Sequence, residues 1–282
     1  MKLPIQMDLT GKVAVVTGAV GVLCSMMAEA LATCGAKVAL LDLNEAAAQA
    51  NADAIVAQGY IAKGYAANVL DKESLAAAHA AILKDFGTCD ILINGAGGNN
   101  PRATTDKEYF EIGDIDADTK SFFDLEQKGV EFVFNLNFLG TLLPTQVIAK
   151  DMIGEEHCSI LNISSMNAYT PLTKLPAYSA AKAGVSNFTQ WLAVHFAKTG
   201  IRVNGIAPGF FATNQNRALL FNEDGTPTAR TGKILAATPM GRFGEADELL
   251  GALRFLTDDS QSAFVTGVVI PVDGGFSAYS GV

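Results

Sequence analysis

The sequence predicts a single doubly wound α/β domain over residues 1–282, a parallel sheet flanked by helices on both faces. Three observations predict it. Short runs rich in β-branched residues and leucine recur along the chain, and the pieces between them are long enough for crossover helices. The runs are apolar throughout rather than alternating, as strands covered on both faces must be. With 49% hydrophobic and 17% charged residues the chain can bury a large core, and no repeat or low-complexity linker divides it.

In order, VAVV (13–16) supplies the first strand and leads into TGAVGVLCSMMAEAL (17–31), a glycine-bearing turn and an alanine-rich helix. KVALLD (37–42), ILIN (91–94), SILNIS (159–164), IRVNGIAP (201–208) and VVIPVDGG (268–275) supply further strands, joined by right-handed crossovers. FVFNLNFLGTLLPTQVIA (132–149) is uncharged and long enough to test as a membrane span. Its Asn135, Asn137, Pro144 and Gln146 suit a helix buried in protein instead. Two segments exceed the bare scaffold. Residues 98–130 form an acidic insertion at the carboxyl edge of the sheet, either solvated surface or part of a ligand site. Residues 214–240, polar with proline and glycine, are placed to act as a substrate lid.

A net charge of −9 argues against nucleic acid and anionic membranes as partners, so an anionic substrate needs locally placed Arg or Lys. Cys24, Cys34, Cys89 and Cys158 show no metal-ligand spacing. They read as reduced thiols in a cytoplasmic protein without a metal, and MKLPIQMDL lacks a secretory pattern.

A strand, a tight turn at Gly18 and a helix start at Gly21, Val22 and Leu23 present backbone N–H groups and a helix dipole to a phosphate. Asp42 ends the second strand, where an acid accepts hydrogen bonds from the adenosine ribose and repels a 2′-phosphate, favouring NAD over NADP. Asp42 also reads as a plain helix cap. In YSAAK (178–182), Tyr178 and Lys182 share a helix face. A neighbouring ammonium lowers a phenol's pKa and lets it exchange a proton with a carbonyl or alcohol. Ser165, at the end of its strand, can donate to the developing oxyanion.

Together with Thr17-Gly18, NGAG (94–97), Asn137 in NLNFLG and PGFFAT (208–213), this series resembles the short-chain dehydrogenase/reductase family along essentially the full chain, which implies a Rossmann-type fold. The resemblance implies Tyr178 as general acid/base, Ser165 as substrate-oxygen donor, Lys182 as the group that acidifies the phenol and holds the nicotinamide ribose, and Asn137 as the keeper of a proton-relay water. It places Asn68, Val69, Asn94, Gly95, Ala96 and Gly97 beside the adenosine, and Pro208, Gly209 and Thr213 beside the carboxamide and pyrophosphate. The family's TGxxxGxG turn has its later glycines at Val22 and Cys24 here, an altered register that narrows the approach and loosens helix packing.

Asn99, Arg102, Asn167, Lys174 and Arg217 surround the expected site and suit a polyhydroxylated acid better than a steroid or fatty acyl chain, although each cation also reads as surface charge. More narrowly, NISSMNAYTPLTKLPAYSAAK, the altered turn and the VDGGFSAYSGV terminus resemble the family's bacterial D-mannonate oxidoreductase (fructuronate reductase) branch. That branch implies a sugar-acid substrate and NAD. Val185, Phe188, Trp191, Leu192 and Phe196 spread too widely for a helix meeting one sheet face, and the family's pairing of this helix implies a homotetramer.

Overall fold

The structure, a computed structural model, describes residues 7–212 and 220–281. Seven strands form one sheet in the order β3-β2-β1-β4-β5-β6-β7, and every pairing is parallel. They are β1 (Val13–Thr17), β2 (Lys37–Asp42), β3 (Ile61–Ala66), β4 (Ile91–Asn94), β5 (Cys158–Ile163), β6 (Ile201–Pro208) and β7 (Val269–Val272). The chain runs outward from β1 to β3, then returns to the other side of β1 at β4. A crevice therefore opens above the carboxyl ends of β1 and β4, where such sheets bind ligands.

The central strands β1, β4, β5 and β6 are buried at every residue, which accounts for their largely apolar runs. The edge strand β3, IAKGYA, escaped the pattern because Ile61, Lys63 and Ala66 face solvent and Gly64 lies against the backbone of Gln49. At the other edge, Pro271 is tolerated in β7 because an edge strand has unpaired positions. This strand stops at Val272, short of residue 275, because Gly274 and Gly275 turn with φ of 63° and 87°.

Two apolar layers flank the sheet. One packs α1 (Val22–Thr33) and α2 (Glu45–Ala57) through Met27, Leu31 and Ile55; the other packs α3 (Lys72–Asp85) through Leu75 and Ile82 and α6 (Pro176–His195) through Leu192. The uncharged stretch 132–149 becomes the end of α4 (Gln127–Phe134), a π-helical turn (Asn135–Leu139) and α5 (Gly140–Ile148). No helix among the described residues is long and apolar enough to cross a membrane.

The insertion folds on its own acids. Asp114 takes the Lys107 ammonium at 2.5 Å and the Glu111 N–H at 3.0 Å, while Asp124 takes the Ser121 hydroxyl at 2.7 Å. Its acidity is thus largely local ordering. Of the expected lid, α7 (Ala229–Ala237) is described and is capped by Thr228, whose hydroxyl accepts from Thr231 N–H at 3.3 Å.

Candidate active site

Thr17 anchors the floor of the crevice. Its hydroxyl donates to the Ile93 carbonyl at 3.4 Å and accepts from Gly95 N–H at 3.1 Å, locking the turn after β4 to the end of β1. Gly18 has φ of 66°, a left-handed conformation, and a Cβ there would stand 2.8 Å from the Ala96 Cα. Gly21 is the N-cap of α1, so the N–H groups that follow it open toward the crevice. A cavity of about 530 Å³ results, lined by Gly18, Gly21, Val22, Leu23, Asp42, Val69, Gly95, Ala96, Gly97 and Gly209.

The altered glycine register has a local answer. The Cys24 side chain is only 6% exposed and lies over Gly95, where any Cβ would collide with its sulfur. The space a helix glycine would have left is filled from one side and cleared on the other, with Met27 fully buried behind it, rather than by a looser helix. Burial raises the Cys24 thiol to about 11, which fits a packing role.

Asp42 is not a helix cap: Asn44 caps α2, accepting from Ala47 N–H at 3.1 Å. The Asp42 carboxylate accepts from Val20 N–H and Asn44 N–H, both at 3.2 Å, and remains on the cavity wall.

The residues expected to handle the proton converge at the neighbouring strand ends. Ser165 lies just beyond β5 and Tyr178 in the first turn of α6, near enough for the serine hydroxyl to lower the phenol's proton affinity. One turn on, Lys182 is 4% exposed; its ammonium donates to the Ile163 carbonyl at 2.7 Å and lies 5.8 Å from the centre of the Tyr178 ring. Burial lowers Lys182 to about 8, partly opposed by Cys24. It also raises the Tyr178 phenol above its ordinary value, and the opposing influence is the neighbouring Ser165 hydroxyl. In this state the Lys182 ammonium is turned to the strand-end carbonyl rather than to the phenol oxygen.

Asn137, fully buried in the π-helical turn, holds the strand-end backbone by donating to Gly98 O at 2.7 Å and accepting from Gly98 N–H at 3.2 Å. Gly97 makes this possible, since a Cβ there would be 2.7 Å from the Asn137 side-chain oxygen and 3.1 Å from Lys182 Nζ.

Other expected residues are placed elsewhere. Asn94 does not reach the cavity; its amide donates to Thr145 Oγ1 and Asn162 Oδ1, both at 2.9 Å, and ties β4 to β5 and α5 in the interior. The Asn68 side chain closes a turn by accepting from Leu70 N–H, leaving Ala67 and Val69 as the lining residues. Pro208 is buried in β6, and the next residue, Gly209, meets the cavity. Asn99 donates to Thr104 within the insertion at 3.0 Å, and Arg102 faces Glu126 at 3.5 Å on the exposed surface. Neither joins the site. Asn167 is 4% exposed beside Ser165, to whose hydroxyl its backbone N–H donates at 3.2 Å, and it is not among the lining residues of either cavity. Lys174 lines a second cavity of about 520 Å³ with Glu108, Arg230, Lys233 and Phe210. Thr213 and Arg217 lie outside the described residues.

Residues 12–224 match the short chain dehydrogenase family. The chain belongs to that family. It is an oxidoreductase acting on CH–OH groups. It is 62% identical to an uncharacterized oxidoreductase of Haemophilus influenzae over 98% of this chain and 96% of the relative. It is 54% identical to the uncharacterized oxidoreductase UxuB of Bacillus subtilis over 99% of this chain and 100% of the relative. A crystal structure from Haemophilus influenzae with bound NAD, provisionally assigned as a D-mannonate oxidoreductase, superimposes with a TM-score of 0.94 at 62% identity, covering 98% of each chain.

Within this short-chain dehydrogenase, sequence reasoning missed Leu136, Ile163 and Phe211 on the cofactor side and Glu108, Arg230 and Lys233 on the other. Ile163 and Phe211 lie beside quoted motifs and could have been found from them. The three charged residues carry no local signal, because only the fold brings them together.

Proposed function

We propose that this chain interconverts D-fructuronate and D-mannonate with NAD(H), as a cytoplasmic homotetramer. The observation that carries the reading is the gathering of Ser165, Tyr178 and buried Lys182 at the strand ends, with a cation-lined cavity adjoining the dinucleotide crevice. A nicotinamide dinucleotide fits the residues present. Gly18, Gly95 and Gly97 keep the crevice free of Cβ atoms that would collide with its own walls, and the start of α1 offers N–H groups for the pyrophosphate. The Asp42 carboxylate on the wall favours the ribose hydroxyls of NAD over the extra phosphate of NADP. NAD bound to a relative 62% identical supports the same preference.

Bound there, the cofactor supplies the hydride acceptor or donor. Ser165 donates a hydrogen bond to the substrate oxygen and fixes it against Tyr178. Tyr178 delivers the proton to that oxygen in reduction and takes it back in oxidation. The Lys182 cation favours the phenolate once its ammonium turns from the Ile163 carbonyl toward the phenol and the nicotinamide ribose. Asn137 keeps the Gly97-Gly98 backbone in place behind them.

The experiment is initial-rate turnover by the purified enzyme of D-fructuronate, 5-keto-D-gluconate, a neutral ketose and a 3-ketoacyl thioester, each with NADH and NADPH. Fastest turnover of D-fructuronate with NADH is expected. Preference for 5-keto-D-gluconate would move the enzyme to the chemistry named for a Gluconobacter oxydans relative, gluconate 5-dehydrogenase, 34% identical over 98% of this chain and 99% of that relative. Absence of any turnover, with NAD still bound, would leave a dinucleotide-binding sensor.

A further inference from the structure

Phe210 lines both the dinucleotide crevice and the second cavity, so the two adjoin through one aromatic side chain. The second cavity draws cations from two separated stretches of sequence: Lys174 from the loop before α6, and Arg230 and Lys233 from the first turns of α7. In a chain of net charge −9 this gathering runs against the overall balance. Glu108, from the insertion, is the one carboxylate residue on the same lining. It pairs with Lys233 at 2.7 Å, and Lys233 first and Lys174 second hold its carboxyl below the usual range. One cation is thereby matched and two remain in excess.

Arg230 makes no ion pair among the described residues. It sits in the first turn of α7, where the helix dipole adds positive potential. Lys174 is held with φ of 72°, costly for a side chain with a Cβ, while its carbonyl accepts from Thr105 N–H at 3.1 Å. Insertion, loop and α7 therefore converge on the same space.

We propose that Arg230 and Lys174 form the subsite for the substrate's carboxylate, with Arg230 supplying a two-pronged contact and the Glu108–Lys233 pair bounding the space on the insertion side. This rests on the sugar-acid reading above and specifies it. A hexuronate has its ketone near one end of the carbon chain and its carboxylate at the other, so a ketone held at Tyr178 sends the carboxylate away from the proton-transfer groups, toward the adjoining cavity. The apolar walls Phe210, Phe276 and Ile234 suit the C–H faces of the chain between them.

The test compares D-fructuronate with the neutral ketose in which CH2OH replaces the carboxylate, in parent, Arg230→Gln, Arg230→Lys and Lys174→Gln enzymes. Arg230→Gln should raise KM for the acid by about 10- to 100-fold, the range of a lost charged hydrogen-bonded pair, with a smaller rise in Lys174→Gln and partial recovery in Arg230→Lys. KM for NADH and for the neutral ketose should stay within about twofold. An unchanged acid KM in both Gln variants, or equal losses for acid and neutral substrate, overturns the subsite. Competition by D-tartrate, a non-reacting dicarboxylate, separates the two readings. If the parent reduces no sugar acid yet tartrate inhibits its reduction of the neutral ketose and loses potency in Arg230→Gln, the subsite stands and the hexuronate assignment falls.

Discussion

The two halves of the cleft are built from different materials. On the dinucleotide side the wall is glycine and apolar side chains, with Asp42 as its one carboxylate among the lining residues. On the far side the wall carries Glu108, Lys174, Arg230 and Lys233, all on loops or on α7. The chemical centre, Ser165, Tyr178, Lys182 and Asn137, is fixed to strand ends, to the first turns of α6 and to the π-helical turn. The first half and the centre are consequences of the sheet, because close approach of backbone at strand ends permits few alternatives. The second half is free to vary without disturbing the core, which is where substrate selection can change while chemistry is retained.

The sharpest way to break this division is at its centre. Tyr178→Phe keeps the ring packed against Ala103 and Val133 and removes only the proton carrier. Turnover should fall about a thousandfold, within the range for loss of a general acid/base, while NADH fluorescence titration shows undiminished binding. A variant retaining a tenth of the parent rate would place the proton transfer elsewhere.

Next in size is the cost of keeping Lys182 buried. Its pKa of about 8, against an ordinary 10.5, means that the folded protein strains to hold the charge. The shift corresponds to about 3 kcal/mol against folding while both states are protonated. Lys182→Met removes that cost and leaves the Ile163 carbonyl without its donor, at about 1 kcal/mol, so the cofactor-free variant should be more stable by about 2 kcal/mol at neutral pH. Between the folded and unfolded pKa values the unfolded parent holds the proton that the folded parent sheds, so parent stability rises with pH there and the difference should shrink. Urea unfolding at neutral pH and near pH 10 checks this, and a gap of constant size would show that Lys182 is not desolvated.

How much of this was legible follows the same line. The central strands were readable because strands covered on both faces carry long apolar runs, and the i, i+4 spacing of Tyr178 and Lys182 marked their shared helix face. Strand β3 was not, since Lys63 and Gly64 interrupt its apolar run at the sheet edge. Asn94 was misassigned because position in a motif says which residue is near a site, not which way its amide turns; here it faces Thr145 and Asn162. Asn99 and Arg102 were chosen for proximity in sequence, whereas Arg230 and Lys233 arrive from more than a hundred residues further along the chain.

Asp42 gives a smaller and more specific effect. Asp42→Ala removes the repulsion toward a 2′-phosphate and an acceptor for the ribose, so the ratio of kcat/KM for NAD over NADP should drop about tenfold. The substitution also releases Val20 and Asn44 N–H groups at a half-exposed position, where water can replace the carboxylate. A ratio that does not move would detach Asp42 from the cofactor and leave it as a bracket between β2 and the turn after β1.

The least effect is expected at Arg102, and that smallness sharpens the comparison. The Arg102 guanidinium meets Glu126 at 3.5 Å with both side chains about half exposed, a geometry in which solvent screening leaves a pair worth about 0–1 kcal/mol. Its stem also packs beneath Gly129 of α4, where a Cβ would come within 2.7 Å of the Arg102 Cβ. Arg102→Gln keeps most of that stem while removing the charge. Its acid KM should therefore stay within about twofold of the parent, against the far larger rise expected in Arg230→Gln. Two arginines of equal formal charge, both on the substrate side, are thus separated by whether the fold turns them to a neighbouring carboxylate or into the cavity. A rise in acid KM for Arg102→Gln as large as that for Arg230→Gln would mean that the insertion closes over the substrate and carries Arg102 inward.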